Sequence, residues 1–584
     1  MQFGVWAPRA QTVELVLGTG GDATTIPMGR SGSPREGWWT AEAEGAAGTR
    51  YAFRLDGGDP RPDPRSGWQP DGVHGPSAVV DPSAFGWTDA GWTGRDVHGA
   101  VFYELHVGTF TEEGTFAAAA EHLDHLVDLG VEVVEVLPVS AWDGPWNWGY
   151  DGVAPYAVHH EYGGPQGFAA FVDACHAKGL AVALDCVYNH LGPSGNYLGE
   201  FGPYFTDKHD TPWGAAVNLD DDGSVEVRRW IVDNALRWFR DFHVDALRLD
   251  AVHALVDDSP RHVLQQLADE TADLAGELGR PLGLVAESDL NDAVMVTPTA
   301  QGGRGMTAQW DDDVHHALHA WLTGERQGYY ADFGDPEVVK TVFEEAFFHA
   351  GRFSTFRGEV WGAPVDRAQV PGTAFLGYLQ THDQVGNRAL GDRIGHLLSP
   401  ARQAAGAALY LLGPFTPMVF MGEEWNASTK WQFFTSFPDP ELGKAVSEGR
   451  RGEFGQHGWD AEDVPDPQDP ATRENSVLRW DEVAEPEHAR VLDWYRSLTA
   501  LRRELPAFTD LREVRVDVAG NALVLHRGDV RVVVTLGAGA DVEVEGTPVE
   551  VLASFTDGPA PELLGEGVRT AAEAVVVVRV ATAA

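Results

Sequence analysis

Three carboxylates stand at the ends of three apolar runs. Asp250 closes Val244–Asp250, Glu287 closes Leu282–Glu287, and Asp383 follows the run Ala374–Gln380 in Gln380-Thr381-His382-Asp383-Gln384. Two close carboxylates are what retaining glycoside hydrolysis needs: one ionised to attack an anomeric carbon, the other holding a proton for the leaving oxygen. Arg248 lies two residues before Asp250, on the same face of an extended strand. A guanidinium there favours the carboxylate anion, which suits a nucleophile. Gly283-Leu284-Val285-Ala286 gives Glu287 an apolar setting, which raises a carboxyl's pKa and suits a general acid. Asp383 with His382 could bind sugar hydroxyls and stabilise positive charge on a ring. A single Asp at a strand end is more often a turn or cap residue. Three on three strands, with Asn189-His190 and Arg248 beside them, favour function.

Other chemistries lose support. The chain has no GxxxxGK[ST] loop, no GxGxxG after a strand and no GxSxG elbow, so nucleotide, dinucleotide and serine-hydrolase chemistry are disfavoured. His159-His160 and His315-His316 lack HExxH spacing and read as hydrogen-bonding or surface histidines rather than metal ligands. Cys175 and Cys186 fall on a helix and a strand and read as buried small residues. No metal or cofactor is expected.

The elements that must position these groups have the pattern of alternating strands and helices. Apolar runs at Val101–Val107, Val131–Pro138, Leu180–Val187, Val244–Asp250, Leu282–Glu287, Met306–Trp310, Ala374–Gln380 and Pro417–Met421 are mostly separated by segments of helical period. Eight β/α units in about 400 residues predict an α/β fold, a (β/α)8 TIM barrel with long loops, whose catalytic groups sit at the C-terminal strand ends. A doubly wound sheet is the alternative. Before the barrel, short strands at Phe3–Pro8, Thr12–Leu17, Trp38-Trp39-Thr40 and Tyr51–Leu55 predict a β-sandwich, followed by an irregular Pro/Gly-rich loop over Asp59–Asp81. After it, Val514–Val518, Ala522–His526, Val530–Thr535, Val542–Val544, Val549–Leu552 and Val575–Val580 predict a small β-domain. The expected domains are 1–95, 96–505 and 506–584.

Composition narrows the partners. In 584 residues, 88 acidic against 42 basic side chains give a net charge of −46, which repels nucleic acid and anionic membranes. The apolar stretch Ala404–Met421 is broken by Gly413-Pro414-Phe415-Thr416-Pro417 and reads as helix, turn and buried strand, not a membrane span. Two cysteines suit a reducing cytoplasm, and Met1-Gln2-Phe3-Gly4-Val5-Trp6 has no basic or apolar signal region. Oligomeric state is expected to be monomer or simple dimer.

The strand ends resemble the four sequence regions of the α-amylase superfamily of glycoside hydrolases: Asp185-Cys186-Val187-Tyr188-Asn189-His190, Arg248-Leu249-Asp250-Ala251-Val252-His253, Ala286-Glu287-Ser288 and Thr381-His382-Asp383-Gln384. The resemblance implies Asp250 as nucleophile, Glu287 as acid/base and Asp383 as transition-state stabiliser, with Tyr150, His190, Arg248 and His382 lining the subsite of the cleaved glucose. The start Phe3-Gly4-Val5-Trp6-Ala7-Pro8 looks like the N-terminal sandwich of branching and debranching enzymes.

Four longer stretches, Gln69–Ser77, Tyr188–Tyr197, Ala308–His316 and His382–Arg388, resemble the malto-oligosyltrehalose trehalohydrolases. That resemblance implies a malto-oligosyltrehalose or maltodextrin substrate. It adds His253, Asp311, Asp312, His315, Gln384 and Asn387 as substrate-binding candidates. Gln384 stands where branching enzymes typically carry Glu. Cys186 and Asp313-Val314 depart from the usual pattern without touching the three carboxylates. Trp310–His316 and Phe356–Trp361, which combine aromatic and polar groups, are expected to select trehalose on the leaving-group side. A glucan-transferring enzyme and a non-catalytic glucan-binding protein are the rival readings.

Overall fold

The computed structural model describes residues 1–32, 36–456, 463–508 and 514–581. Eight parallel strands close into a barrel: β1 (Phe102–Leu105), β2 (Val133–Val136), β3 (Ala181–Cys186), β4 (Ala246–Leu249), β5 (Gly283–Ala286), β6 (Ala308–Trp310), β7 (Phe375–Tyr378) and β8 (Thr416–Phe420). Seven lie inside expected apolar runs, and β8 begins one residue before the expected Pro417–Met421. They are buried throughout, because crossover helices cover the outside of a parallel sheet while side chains fill its interior. Pairing of Met418 with Phe102 closes the ring between β8 and β1.

Helices at Gly164–Ala177, Ser224–Asp241, Val263–Leu278, Asp312–Thr323, Pro336–Glu345 and Pro400–Leu411 make most of the outer layer. The β5–β6 connection departs from the ideal unit, carrying only a 3-10 turn at Thr299–Gln301. Pro400–Leu411 leads through the Gly-Pro turn into β8, as expected for the 404–421 stretch. Among the described residues, no helix is long and apolar enough to cross a membrane.

Two antiparallel sheets form the N-terminal sandwich. One joins Gln2–Trp6, Trp38–Glu42 and Gly29–Arg30; the other joins Thr24–Pro27, Val13–Leu17, Arg50–Leu55 and Pro60–Arg61, with Ser77–Ala78 also on Arg50–Leu55. Phe3, Val5, Leu15, Trp39 and Phe53 fill it. The Pro/Gly-rich stretch therefore contributes two short strands, too brief to show a period. Trp230 Nε1 donates to the Pro64 carbonyl at 2.9 Å and Arg65 pairs with Asp233 at 2.9 Å, seating the sandwich on the barrel. At the C-terminal end, Arg515–Ala519, Ala522–Arg527, Val530–Thr535, Ala574–Ala581 and Thr547–Thr556 form a five-stranded sheet. A second sheet joins Asp541–Glu543, Gly567–Arg569 and Glu562–Leu563.

Two hairpins rise from the barrel's C-terminal loops and bear on the site. Phe205–Thr211 pairs with Gly214–Val217 after β3, and Arg352–Ser354 pairs with Glu359–Trp361 after β6.

Candidate active site

A cavity of about 1070 Å³ opens at the C-terminal strand ends, lined by Asp250, Glu287 and Asp383 together with Tyr150, His190, His253, Asp312, Gln384 and Asn387. Its floor is organised by Arg248, whose side chain is fully buried. Nη1 of Arg248 donates to Asp250 Oδ1 at 2.7 Å and to both oxygens of Asp185 at 2.9 and 3.1 Å. Nη2 stands 3.6 Å from Glu287 Oε2. Asp250 also accepts from Asn189 Nδ2 at 2.9 Å. Two acids thus meet opposite ends of one guanidinium, and Asp250 holds the shorter contact.

The chain reaches this geometry through a local turn. Ala251 follows Asp250 with φ +38°, a left-handed conformation that costs a non-glycine residue of order 1–3 kcal/mol. The turn directs the Ala251 N–H at Glu287 Oε2, 2.5 Å away. Burial raises the Glu287 pKa, the Asp250 and Asp383 charges add to it, and Arg248 opposes, for a result of about 8. Burial also raises Asp185, to about 7 against the pull of Arg248. The Tyr150 hydroxyl donates to Asp185 at 2.7 Å. Glu287 therefore carries a proton at neutral pH, as an apolar strand end predicts.

Asp383 sits in the first turn of the short helix His382–Gly386. Thr381 caps that helix by accepting from the Asp383 N–H at 3.2 Å, and Gln384 Oε1 accepts back from the Thr381 N–H at 2.9 Å. Gln384 Nε2 donates to Asp312 Oδ1 at 3.0 Å, so Gln384 lines the cavity with both polar ends engaged. His382 is buried, and its ring stacks on Tyr150 with centroids 5.2 Å apart.

Of the residues expected to bind substrate, Arg248 and His382 lie just behind the wall, touching the acids rather than lining the cavity. Two expectations need correction. Asp311 is fully buried and caps the helix Asp312–Thr323 by accepting from the Asp313 N–H at 3.1 Å. His315 is buried with one ring nitrogen on the Leu379 carbonyl at 2.7 Å and the other on the Tyr330 hydroxyl at 2.8 Å. Asp312 and His316 line the cavity instead. Positions four apart share a helix face, and each neighbour points about 100° away.

Sequence reasoning missed an aromatic rim and one buried acid. Trp213, at the tip of the β3-loop hairpin and half exposed, stacks on His190 with centroids 4.9 Å apart and planes at 9°. Tyr329 and Phe433 join the lining, and Tyr329 meets Phe356 edge to face at 6.0 Å. Flat rings of this kind suit the apolar faces of sugars. Pro212-Trp213-Gly214, an aromatic at a turn tip, is the signal that could have found Trp213. Of the Phe356–Trp361 stretch, Phe356 and Arg357 line the cavity; Trp361 lies behind them. Its indole donates to the Asp289 carbonyl at 2.8 Å and underlies the Arg357 guanidinium at 4.1 Å. Glu104, at the end of β1, accepts from the His382 backbone N–H at 3.0 Å and meets its Nδ1 at 2.5 Å. A polar residue inside Phe102-Tyr103-Glu104-Leu105 was its signal.

Comparison with known proteins agrees with this geometry. Residues 81–210 match the alpha amylase catalytic domain, and residues 1–82 match carbohydrate-binding module 48, the isoamylase N-terminal domain. The malto-oligosyltrehalose trehalohydrolase of Arthrobacter ramosus is 53% identical over 92% of this chain and 93% of its own length. That of Saccharolobus solfataricus is 42% identical over 86% and 85%. The chain belongs to the malto-oligosyltrehalose trehalohydrolase family of the α-amylase superfamily. A crystal structure from Salmonella typhimurium, provisionally described as an alpha amylase, is 38% identical with a TM-score of 0.88, covering 100% of this chain and 97% of that one. A Xanthomonas campestris 1,4-alpha-glucan branching enzyme reaches 29% identity over 55% of this chain and 49% of its own.

Proposed function

We propose that this chain is a retaining glycoside hydrolase that cleaves the α-1,4-glucosidic bond next to the terminal trehalose of malto-oligosyltrehalose, releasing trehalose and a shortened maltodextrin. The observation that carries the reading is the unequal pair on Arg248: Asp250 bound tightly by the guanidinium, Glu287 held as a neutral acid beside it. Glu287 protonates the bridging oxygen as Asp250 attacks the anomeric carbon. Trehalose leaves, and a glucosyl–Asp250 ester remains. Ionised Glu287 then takes a proton from water, whose oxygen attacks the anomeric carbon, freeing Asp250 and restoring the acid. Asp383 stabilises the positive charge that develops on the ring in both steps.

Tyr150, His190, His253, Asp312, Gln384 and Asn387 are the sugar-contacting candidates that line the cavity. Trp310–His316 and Phe356–Trp361 serve the leaving-group side. The choice of trehalose rests on the named relatives. The divisions 1–95, 96–505 and 506–584, a monomer or simple dimer, and a cytoplasmic location complete the reading; the two buried, free thiols suit a reducing compartment. Incubation with maltotriosyl-trehalose and with maltopentaose, followed by sugar chromatography, tests it. Free trehalose from the first and slow turnover of the second are expected. New linkages without free trehalose would make the chain a transferase.

A further inference from the structure

We propose that Glu104 is a positioning residue for the hydrolysis: it holds His382 as a doubly protonated ring, and that ring in turn fixes and orients the Asp383 carboxylate at the cavity wall. The inference rests on the function proposed above and extends it to residues in the barrel interior that do not line the cavity.

The geometry decides the ring's protonation. Glu104 grips His382 twice, through the backbone N–H at 3.0 Å and through Nδ1 at 2.5 Å. On the far side of the ring, Nε2 lies 3.4 Å from Asp383 Oδ1. A neutral imidazole has a proton on one nitrogen and a lone pair on the other. In that form the lone pair would face the Asp383 carboxylate; the ring and Glu104 are each only 1% exposed, whereas Asp383 is 40% exposed at the cavity wall. With both nitrogens protonated, Nδ1 donates to Glu104 and the ring's positive charge faces Asp383 at ion-pair distance. The result is a carboxylate–imidazolium–carboxylate chain running from β1 to the helix His382–Gly386.

The surrounding charges agree. Glu135 is the register partner of Glu104 on β2. It is equally buried, and its Oε2 has no hydrogen-bond partner among the described residues. Two adjacent carboxylates do not both ionise without water, and the one that holds His382 keeps the charge. Burial and the Glu104 charge push the Glu135 pKa well up. Arg248 and Asp185 on β4 and β3 also bear on this cluster, as does His106, buried beyond β1 and held neutral by burial. Burial lowers His382, but Asp383 and Glu104 outweigh it and carry the ring to about 9.

The test is Glu104→Gln, which keeps shape and removes charge. With Glu104 neutralised, Asp383 still raises the ring and burial still lowers it, so His382 loses its proton at a lower pH than in wild type. The variant's kcat/KM deficit relative to wild type should therefore deepen as pH rises toward 8, approaching about tenfold per pH unit once the lowered titration of the ring is passed. Wild type should hold its activity until Glu287 ionises. Glu104→Gln with a loss that is constant across pH, or with no loss, overturns the proposal. Neutron diffraction of the wild type at pH 7.5 reads the same point should the variant fold poorly. Deuterium on both His382 nitrogens and on Glu135, with none on Glu104, is expected; a singly deuterated ring overturns it. Failure of the trehalose assay with this pH signature intact would refute the substrate but keep the positioning role.

Discussion

Replacing Glu287 by Gln should make the folded protein more stable as it abolishes turnover, and only at neutral to alkaline pH. Glu287 keeps its proton in the folded chain up to about pH 8, against an ordinary value of 4.5. Below pH 4.5 the carboxyl is protonated in both states and costs nothing. Above it, the unfolded chain releases the proton and the folded chain does not. Stability is then lost at about 1.4 kcal/mol per pH unit until the folded carboxyl ionises. From 4.5 to 8 the deficit sums to about 5 kcal/mol. The side chain is 17% exposed, and relaxation of Asp250, Asp383 and Arg248 takes up part of this, so about 2–5 kcal/mol is expected. Gln does not titrate, and its amide oxygen can still accept from the Ala251 N–H. The variant and wild type should therefore melt together near pH 4.5, and the variant should melt several degrees higher at pH 8. Calorimetry at both pH values measures this directly. An equal difference at both pH values, or a variant less stable at pH 8, would mean that Glu287 is ionised in the folded chain, and the acid role would fall to another group.

Asp250→Asn should fold normally and lose turnover on the order of 10⁴-fold, the scale of removing one member of a covalent catalytic set; near wild-type rates would dismiss Asp250 as nucleophile. Trp361→Ala removes the ring beneath Arg357 and the bond to Asp289. It should lower kcat/KM on the trehalose-ended substrate by about five- to tenfold relative to maltopentaose, and an unchanged ratio would count against that hairpin. Cys175 and Cys186 are buried, with thiols pushed up by burial. An aromatic disulfide reagent should titrate neither in the native protein and both after denaturation.

The barrel was legible because its signal is local. Each strand is a short, wholly buried and mostly apolar run, and after most of them a segment of helical period marks the crossover. What escaped were strands too short to show a period, such as Pro60–Arg61, Ser77–Ala78 and Glu562–Leu563. Their pairing is fixed by the neighbouring strand rather than by their own residues. The same limit explains Asp311 and His315. A motif records that several polar residues occur together, whereas the helix phase decides which of them face the cavity, and Asp312 and His316 are the pair that do.

The protonation of Glu287 shows where sequence reasoning gave the right direction from an incomplete cause. Gly283-Leu284-Val285-Ala286 predicts an apolar setting, and burial is indeed the largest contribution. But Glu287 also sits in a crowd assembled from six barrel strands and their loops: Glu104, Glu135, Asp185, Asp250, Asp312 and Asp383, with Arg248 and His382 as the cations placed to balance them. Seven carboxyls against two cations cannot all ionise where water is scarce. Glu135, Asp185, Glu287 and Asp312 are driven up, with burial the largest cause in each, while Arg248 holds Asp250 and Asp185 directly and His382 holds Glu104. The division of labour between acid and nucleophile thus follows from how closely Arg248 holds each, 2.7 Å to Asp250 against 3.6 Å to Glu287, a contest settled by barrel closure and invisible in any one strand.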